Sequence, residues 1–257
     1  MIDGLKEKVV IVTGGGHGIG RAYCHGFAEA GAKVVVADID APAAEKVAGE
    51  VIQQFDGKAL AAKTDVANET STKDMAKLAL DKFGRIDVLV NNAAIFATIP
   101  MNRGGIDTID PGEWDRMMLV NLKGLFFCTR AVLPTMRRQK SGKIINISSG
   151  TVLGGTPRFL HYVSSKAAVI GLTRALAREV GDDGINVNAI TPGLTIADEN
   201  QRRMLSEEYL APRRQARAFK RDQYPEDLVG AVVFLASSAS DFITGQTLNV
   251  DGGAWML

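Results

Sequence analysis

The chain is short of cysteine, of histidine and of net charge, and each shortage excludes a class of protein. Two cysteines, Cys24 and Cys128, stand far apart in 257 residues with no close pair. This argues against a disulfide scaffold or a cysteine metal site and for two reduced thiols. Lys+Arg 30 against Asp+Glu 29 gives a formal charge of +1, so no bulk positive field is present to hold nucleic acid. The three histidines, His17, His25 and His161, show no ligand spacing to one another or to a cysteine, and no catalytic metal is expected. No stretch approaches the ~18 uncharged apolar residues of a membrane span. The opening Met1-Ile2-Asp3-Gly4-Leu5-Lys6-Glu7-Lys8 is charged and has no apolar core, so no secretory leader is expected. A cytoplasmic protein with neither a nucleic-acid nor a membrane partner is the resulting expectation.

What is present is an ordinary globular balance, 46% hydrophobic and 23% charged, over a length that suits one domain spanning residues 1–257. Seven short runs, Val9–Val12, Lys33–Ala37, Ala59–Lys63, Val88–Val90, Lys143–Ile147, Asn186–Ile190 and Thr247–Val250, read as strands. Amphipathic segments lie between them: one from Ile19 to Ala30, then others near Ala41–Phe55, Glu69–Phe83, Gly112–Arg138, His161–Gly181 and Pro225–Ala236. Apolar strands alternating with helices imply an α/β fold, a doubly wound, Rossmann-like sheet of about seven parallel strands with helices on both faces. The rhythm breaks once, at Leu194–Tyr224, a polar stretch that reads as a substrate flap, its charges of both signs reading as the solvated faces of short helices or as a steer for an anionic substrate.

The first strand runs into Thr13-Gly14-Gly15-Gly16-His17-Gly18-Ile19-Gly20 and then a helix. Glycines permit a tight turn and close backbone approach to a pyrophosphate, and the helix start offers free N–H groups. Gly14, Gly16, His17, Gly18, Ile19 and Gly20 are therefore candidate dinucleotide contacts. Asp38 closes the second strand, about 20 residues on, where a carboxylate meets an adenosine ribose and repels a 2′-phosphate. The other role open to Asp38 is a cap for the following helix, for which Asp40 is better placed. No arginine or lysine occupies Gly15, Gly16, His17 or Ile39, so NAD is the expected cofactor.

Further motifs follow in order: Asp65-Val66, Asn91-Asn92-Ala93-Ala94, Asn121, Ser149 thirteen residues before Tyr162, Tyr162-x-x-x-Lys166, and Pro192-Gly193. With the glycine loop, these resemble the short-chain dehydrogenase/reductase family of the main single-domain type, from Lys8 to Gly253. The resemblance implies that Asp65 and Val66 meet adenine, and that Asn91, Ala93, Pro192, Gly193 and Thr195 line the cofactor. It also implies a catalytic tetrad of Asn121, Ser149, Tyr162 and Lys166, with Tyr162 and Lys166 contacting the cofactor too. Ser149, Thr151 and Tyr162 would face a small-molecule alcohol or ketone. Ser148 is the rival to Ser149, and only the family spacing separates them. Tyr162 and Lys166 share one helix face, and a cation beside the phenol, helped by the positive nicotinamide, would lower its pKa and make it a base. His161 reads either as a surface-turn histidine or as an edge of the site.

Ala94 stands where the family usually has glycine. Ala197 stands where many members carry a cofactor-contacting threonine, and Thr195 is two residues early. Pro100-Met101-Asn102-Arg103-Gly104-Gly105 reads as an extra loop. The resemblance implies a homotetramer and an NAD-dependent oxidoreductase that interconverts a secondary alcohol and a ketone. The alternatives are an NADPH-dependent carbonyl or 3-oxoacyl thioester reductase and a non-catalytic dinucleotide-binding regulator. The flap and its facing wall suit a largely uncharged substrate.

Overall fold

A computed structural model describes residues 4–56, 58–96, 101–197, 202–203 and 205–256. Pro100 of the extra loop, and Asp198, Glu199 and Met204 of the flap, lie outside the described residues.

Seven strands form one sheet: β1 (Val9–Thr13), β2 (Lys33–Asp38), β3 (Ala59–Lys63), β4 (Val88–Asn91), β5 (Gly142–Ile147), β6 (Ile185–Pro192) and β7 (Thr247–Val250). Their order is β3-β2-β1-β4-β5-β6-β7, and every pairing is parallel. Alternate residues of a strand point to opposite faces, and here both faces are buried. Val10, Val12, Val34 and Val36 pack with Tyr23 and Phe27 of α1 (Gly18–Glu29), Val47 and Val51 of α2 (Ala41–Phe55), and Leu228 and Val232 of the helix Glu226–Ala236. Val9, Ile11 and Val35 pack on the other side. There they meet Met75 of α3 (Glu69–Phe83), Cys128 and Val132 of the helix Gly124–Gln139, and Val180 of the helix Leu160–Val180. Burying each such aliphatic side chain contributes about 1.5–3 kcal/mol, so the two-faced pattern fixes the register of the whole sheet. Both cysteines are free and buried.

Local signals set the helix starts. Asp40 caps α2 by accepting from the Ala43 N–H, so the cap belongs to Asp40 and not to Asp38. Asn68 caps α3 and Asp110 caps α4 (Pro111–Met118) in the same way. The long amphipathic segment is not one regular helix. A π-helical turn, Leu119–Lys123, joins α4 to α5 (Gly124–Gln139), and such turns cluster at functional positions. By length and composition the run Pro111–Gln139 is apolar enough to cross a membrane, which the sequence reading did not anticipate. In the fold its buried side chains, among them Phe127, Cys128, Val132 and Met136, pack inward as a core helix does. Next come α6 (Thr151–Gly154), α7 (Leu160–Val180), α8 (Glu207–Ala216) and α9 (Glu226–Ala236). Strand order reverses between β1 and β4. The carboxyl ends of β1, β4, β5 and β6 therefore open on a common crevice, the place where open α/β sheets bind ligands.

Candidate active site

One end of the crevice is made of backbone. Gly14 has φ +64° and a Cβ there would lie 2.9 Å from Ala93 Cα; Gly18 has φ +47°. A Cβ on Gly20 would lie 1.9 Å from the Gly14 carbonyl oxygen, so α1 can start here only as glycine. His17, at the N-cap of α1, makes no side-chain cap, which leaves the first-turn N–H groups facing the loop. Asp38 is nearly buried and accepts from the Gly16 N–H at 2.9 Å and the Asp40 N–H at 3.0 Å. A Cβ on Gly16 would meet that same carboxylate at 3.0 Å. The residue most able to select a ribose thus also shapes the loop that would hold the phosphates. The His17 ring pairs with Asp40 at 3.0 Å, and Ile39 is 64% exposed at the rim.

The turn after β4 is tied to this loop through Asn92, the second asparagine of its motif. Asn92 donates through its amide to the Thr13 and Gly14 carbonyls, each at 3.0 Å, and Thr13 Oγ1 accepts from the Asn92 and Ala93 N–H groups. The Asn91 side chain instead turns into the protein. It donates to Asn146 Oδ1 at 2.9 Å and Thr129 Oγ1 at 3.2 Å, which leaves only its backbone for a ligand. Alternation along the strand explains this: Asn91 is the last paired residue of β4, and its side chain points into the helical layer. Asp65 Oδ1 accepts from the Ala67 N–H, and Val66 is buried next to Gly124.

The other end of the crevice is made of side chains. Ser148 and Gly150 extend the β5–β6 ladder by donating to the Ile190 and Pro192 carbonyls, so Pro192, Gly193 and Ser149 lie close together. Ser148 Oγ donates to the Lys166 carbonyl at 2.7 Å, whereas Ser149 Oγ accepts from Thr151 Oγ1 at 2.9 Å and is close enough to Tyr162 to lower its phenol's pKa. Geometry therefore separates the two serines that sequence alone left as rivals. Lys166 Nζ lies 6.0 Å from the Tyr162 ring centroid and donates to the Ile147 carbonyl at 2.8 Å. Asn121, in the π-helical turn, accepts from the Ile95 N–H at 2.8 Å and donates to Ser165 Oγ at 3.2 Å.

Burial governs the electrostatics of this end. It pushes the Tyr162 phenol up to about 12, against a smaller lowering by the Ser149 hydrogen bond. It pulls the Lys166 amine down to about 8. In the chain by itself the low-dielectric surroundings disfavour both charges, the phenolate and the ammonium.

Two further expectations change. His161 is fully buried, not on a surface turn, and its Nε2 lies 3.2 Å from Glu113 Oε1 on α4. Its neighbour Tyr162 packs with Phe96 and Phe159, at centroid distances of 4.9 and 6.3 Å. Several flap charges are not solvated faces. Arg217 is buried and donates to the Leu194 carbonyl at 2.6 Å and the Arg221 carbonyl at 2.9 Å. Arg214 pairs with Glu207 and Asp222, and Arg221 with Asp227. Thr195 bridges to Gln223, and its hydroxyl turns to the Gly193 carbonyl at 3.1 Å.

A family model described as enoyl-(acyl carrier protein) reductase matches residues 14–254. A 3-oxoacyl-[acyl-carrier-protein] reductase of Synechocystis is 40% identical over 254 residues, covering 98% of each chain. The chain belongs to the short-chain dehydrogenase/reductase family. It is an oxidoreductase of that family. A probable galactose dehydrogenase of Rhizobium meliloti is 38% identical over 98% of this chain and 96% of its own length. Among solved structures, 7α-hydroxysteroid dehydrogenase complexed with NADH and 7-oxo glycochenodeoxycholic acid superposes with a TM-score of 0.89. Its identity is 34%, over 97% of this chain and 94% of that one. A 3-ketoacyl-(acyl-carrier-protein) reductase from Brucella melitensis complexed with NADH has a TM-score of 0.86 at 32% identity, over 98% of this chain and 100% of that one. Ala94 and Ala197 remain this dehydrogenase's departures; Ala197 packs its Cβ over Gly18, 2.9 Å from where a Cβ there would sit.

Proposed function

We propose that this dehydrogenase interconverts a secondary alcohol and a ketone with NAD. The observation that carries the reading is the gathering of Ser149, Tyr162 and Lys166 at the end of β5, with Lys166 Nζ 6.0 Å from the Tyr162 ring, next to a glycine loop shaped for a pyrophosphate. The nicotinamide would supply the hydride acceptor and, when oxidised, a positive charge. Gly14, Gly16, Gly18, the start of α1 and Asp38 would hold the dinucleotide. Tyr162 would exchange a proton with the substrate oxygen, Ser149 would polarise that oxygen, and Thr151 would orient Ser149. Lys166 would hold the nicotinamide ribose, and Asn121 would brace the turn that carries Ile95.

Support for NAD comes from the nearly buried Asp38 carboxylate on Gly16 and from the lack of a lysine or arginine at Gly15, Gly16, His17 and Ile39. Both solved neighbours named above carry NADH. A 3-oxoacyl thioester reductase working with NADPH is the second reading, favoured by the reductases among the relatives. The ratio of kcat/KM for NAD over NADP decides. We expect a ratio well above ten, falling toward one in Asp38→Asn; a native preference for NADP would reverse the assignment.

A homotetramer in the cytoplasm completes the reading. Only one stripe of α7 is covered by its own sheet, while Ala167, Gly171 and Ala175 stay exposed, small residues that allow close helix approach, and Phe126 of α5 is exposed as well.

A further inference from the structure

The described part of the connection from β4 to α4 carries a cation that has no ionic partner among the described residues. Arg103 sits on a loop fixed from both sides. The Asn102 side chain accepts from the Gly104 N–H and donates to the Thr108 carbonyl, each at 2.7 Å, and the Asn102 N–H donates to Glu113 Oε1. That oxygen is the one opposed by the buried His161 ring, on the residue just before Tyr162. The loop is therefore anchored to the start of the helix that carries Tyr162.

The Arg103 guanidinium lies over the Phe159 ring, 5.0 Å from its centroid, and Phe159 packs edge-on against Tyr162. Stacking on a ring face holds a guanidinium flat without consuming its in-plane N–H donors. Among the described residues no carboxylate pairs with Arg103. The cleft beside the loop, about 520 Å³, is lined by Met101, Asn102, Gly112, Glu113 and Arg116. Its one carboxylate, Glu113, has an oxygen already engaged by Asn102 and His161, and its one guanidinium is that of Arg116.

We propose that Arg103 binds a carboxylate on the substrate, so that this dehydrogenase acts on hydroxy acids and oxo acids with the acid group remote from the reacting carbon. The inference rests on Tyr162 as the proton-transfer group and replaces the expectation of a largely uncharged substrate. A single planar fork, preorganised on an aromatic face, matches a carboxylate in bidentate fashion.

The test compares 2-, 3-, 4- and 5-hydroxy acids with their methyl esters as substrates of the native enzyme, Arg103→Ala and Arg103→Lys. Arg103 is exposed and its loss leaves no buried group unpaired, and a melting temperature checks that both variants fold. The native enzyme should prefer at least one acid over its ester by roughly tenfold to a hundredfold in kcat/KM, the worth of a charge-assisted hydrogen bond. That preference should collapse toward one in Arg103→Ala, through KM, and survive in part in Arg103→Lys. Equal use of acids and esters by the native enzyme, or a preference that survives Arg103→Ala, would overturn the proposal. So would stronger selection of a phosphate monoester than of any acid. A second readout, quenching of dinucleotide fluorescence on adding each acid or ester, reports binding without turnover. Acid-selective binding lost in Arg103→Ala, with no turnover of any alcohol, would retain the anion site and sink the dehydrogenase reading instead. No acid-selective binding would sink the anion site itself.

Discussion

The two ends of the crevice are built of different material. The Thr13–Gly20 end is backbone, with glycines where a Cβ would collide and a helix start offering N–H groups. The Tyr162 end is a set of buried side chains from β5, the π-helical turn and α7, each held by another polar group. Backbone donors carry no proton that titrates near neutrality, so the first end is complete in the folded chain. The second is not, because burial favours the neutral form of both Tyr162 and Lys166 and moves their pKa values in opposite directions. Under the proposed function, the positive charge of an oxidised nicotinamide bound from the glycine end would lower the Tyr162 pKa. The ends are therefore coupled through charge, while their local geometries are set independently.

The largest expected effect isolates the side-chain end. Tyr162→Phe keeps the ring among Phe96 and Phe159 and removes only the hydroxyl. Turnover should fall by roughly 10²–10⁴, with dinucleotide affinity within about threefold of native by fluorescence titration. A variant that retains a tenth of native turnover would remove Tyr162 from the chemistry.

A smaller effect follows from Lys166. Its folded pKa, about 8, lies below its ordinary 10.5. Below pH 8 the amine is charged in both states, and the full cost of burying that charge weighs against the fold. Between pH 8 and 10.5 the unfolded chain binds more protons than the folded one, so this contribution to stability rises with pH, by of order 3 kcal/mol. Urea unfolding at pH 7.5 and pH 10 should show the rise in the native chain and lose it in Lys166→Met. Equal pH slopes in the two proteins would mean that Lys166 is not desolvated.

The smallest effect isolates the backbone end. Gly18→Ala puts a Cβ at a left-handed residue against Ala197, at a cost of about 1–2 kcal/mol. We expect dinucleotide affinity to drop roughly tenfold, while the Tyr162 surroundings, followed by the pH dependence of the unliganded protein, stay the same. If both ends respond together, the claim of independent local geometry fails.

How far each part was legible in the sequence follows from the range of the contacts that decide it. The strands Ala59–Lys63 and Thr247–Val250 and the helices Ala41–Phe55 and Glu69–Phe83 end where composition places them, because caps such as Asn68 and Gly84 are local. The glycine loop and Asp38 were legible for the same reason. Asn92 was visible in its motif, but its cross-links to Thr13 and Gly14 join residues some 78 positions apart. His161 was misjudged because its partner, Glu113, lies 48 residues away. Arg217 looked like one more flap charge until its 23-residue reach to Leu194 buried it. A signal for Arg103 existed, an arginine in an extra loop, but not the aromatic face that holds it.

By itself the sequence determined the alternation of strand and helix, the glycine turn, the acid that closes β2 and the four-residue step from Tyr162 to Lys166. Periodicity, φ preference and capping act within a few residues, so they are written along the chain. Only the tertiary structure decided which serine stands by Tyr162, which asparagine locks the loop, that His161 is buried against Glu113, and that Arg103 lies over Phe159. Those outcomes depend on desolvation and on contacts between distant segments, and neither exists until the sheet has brought the segments together.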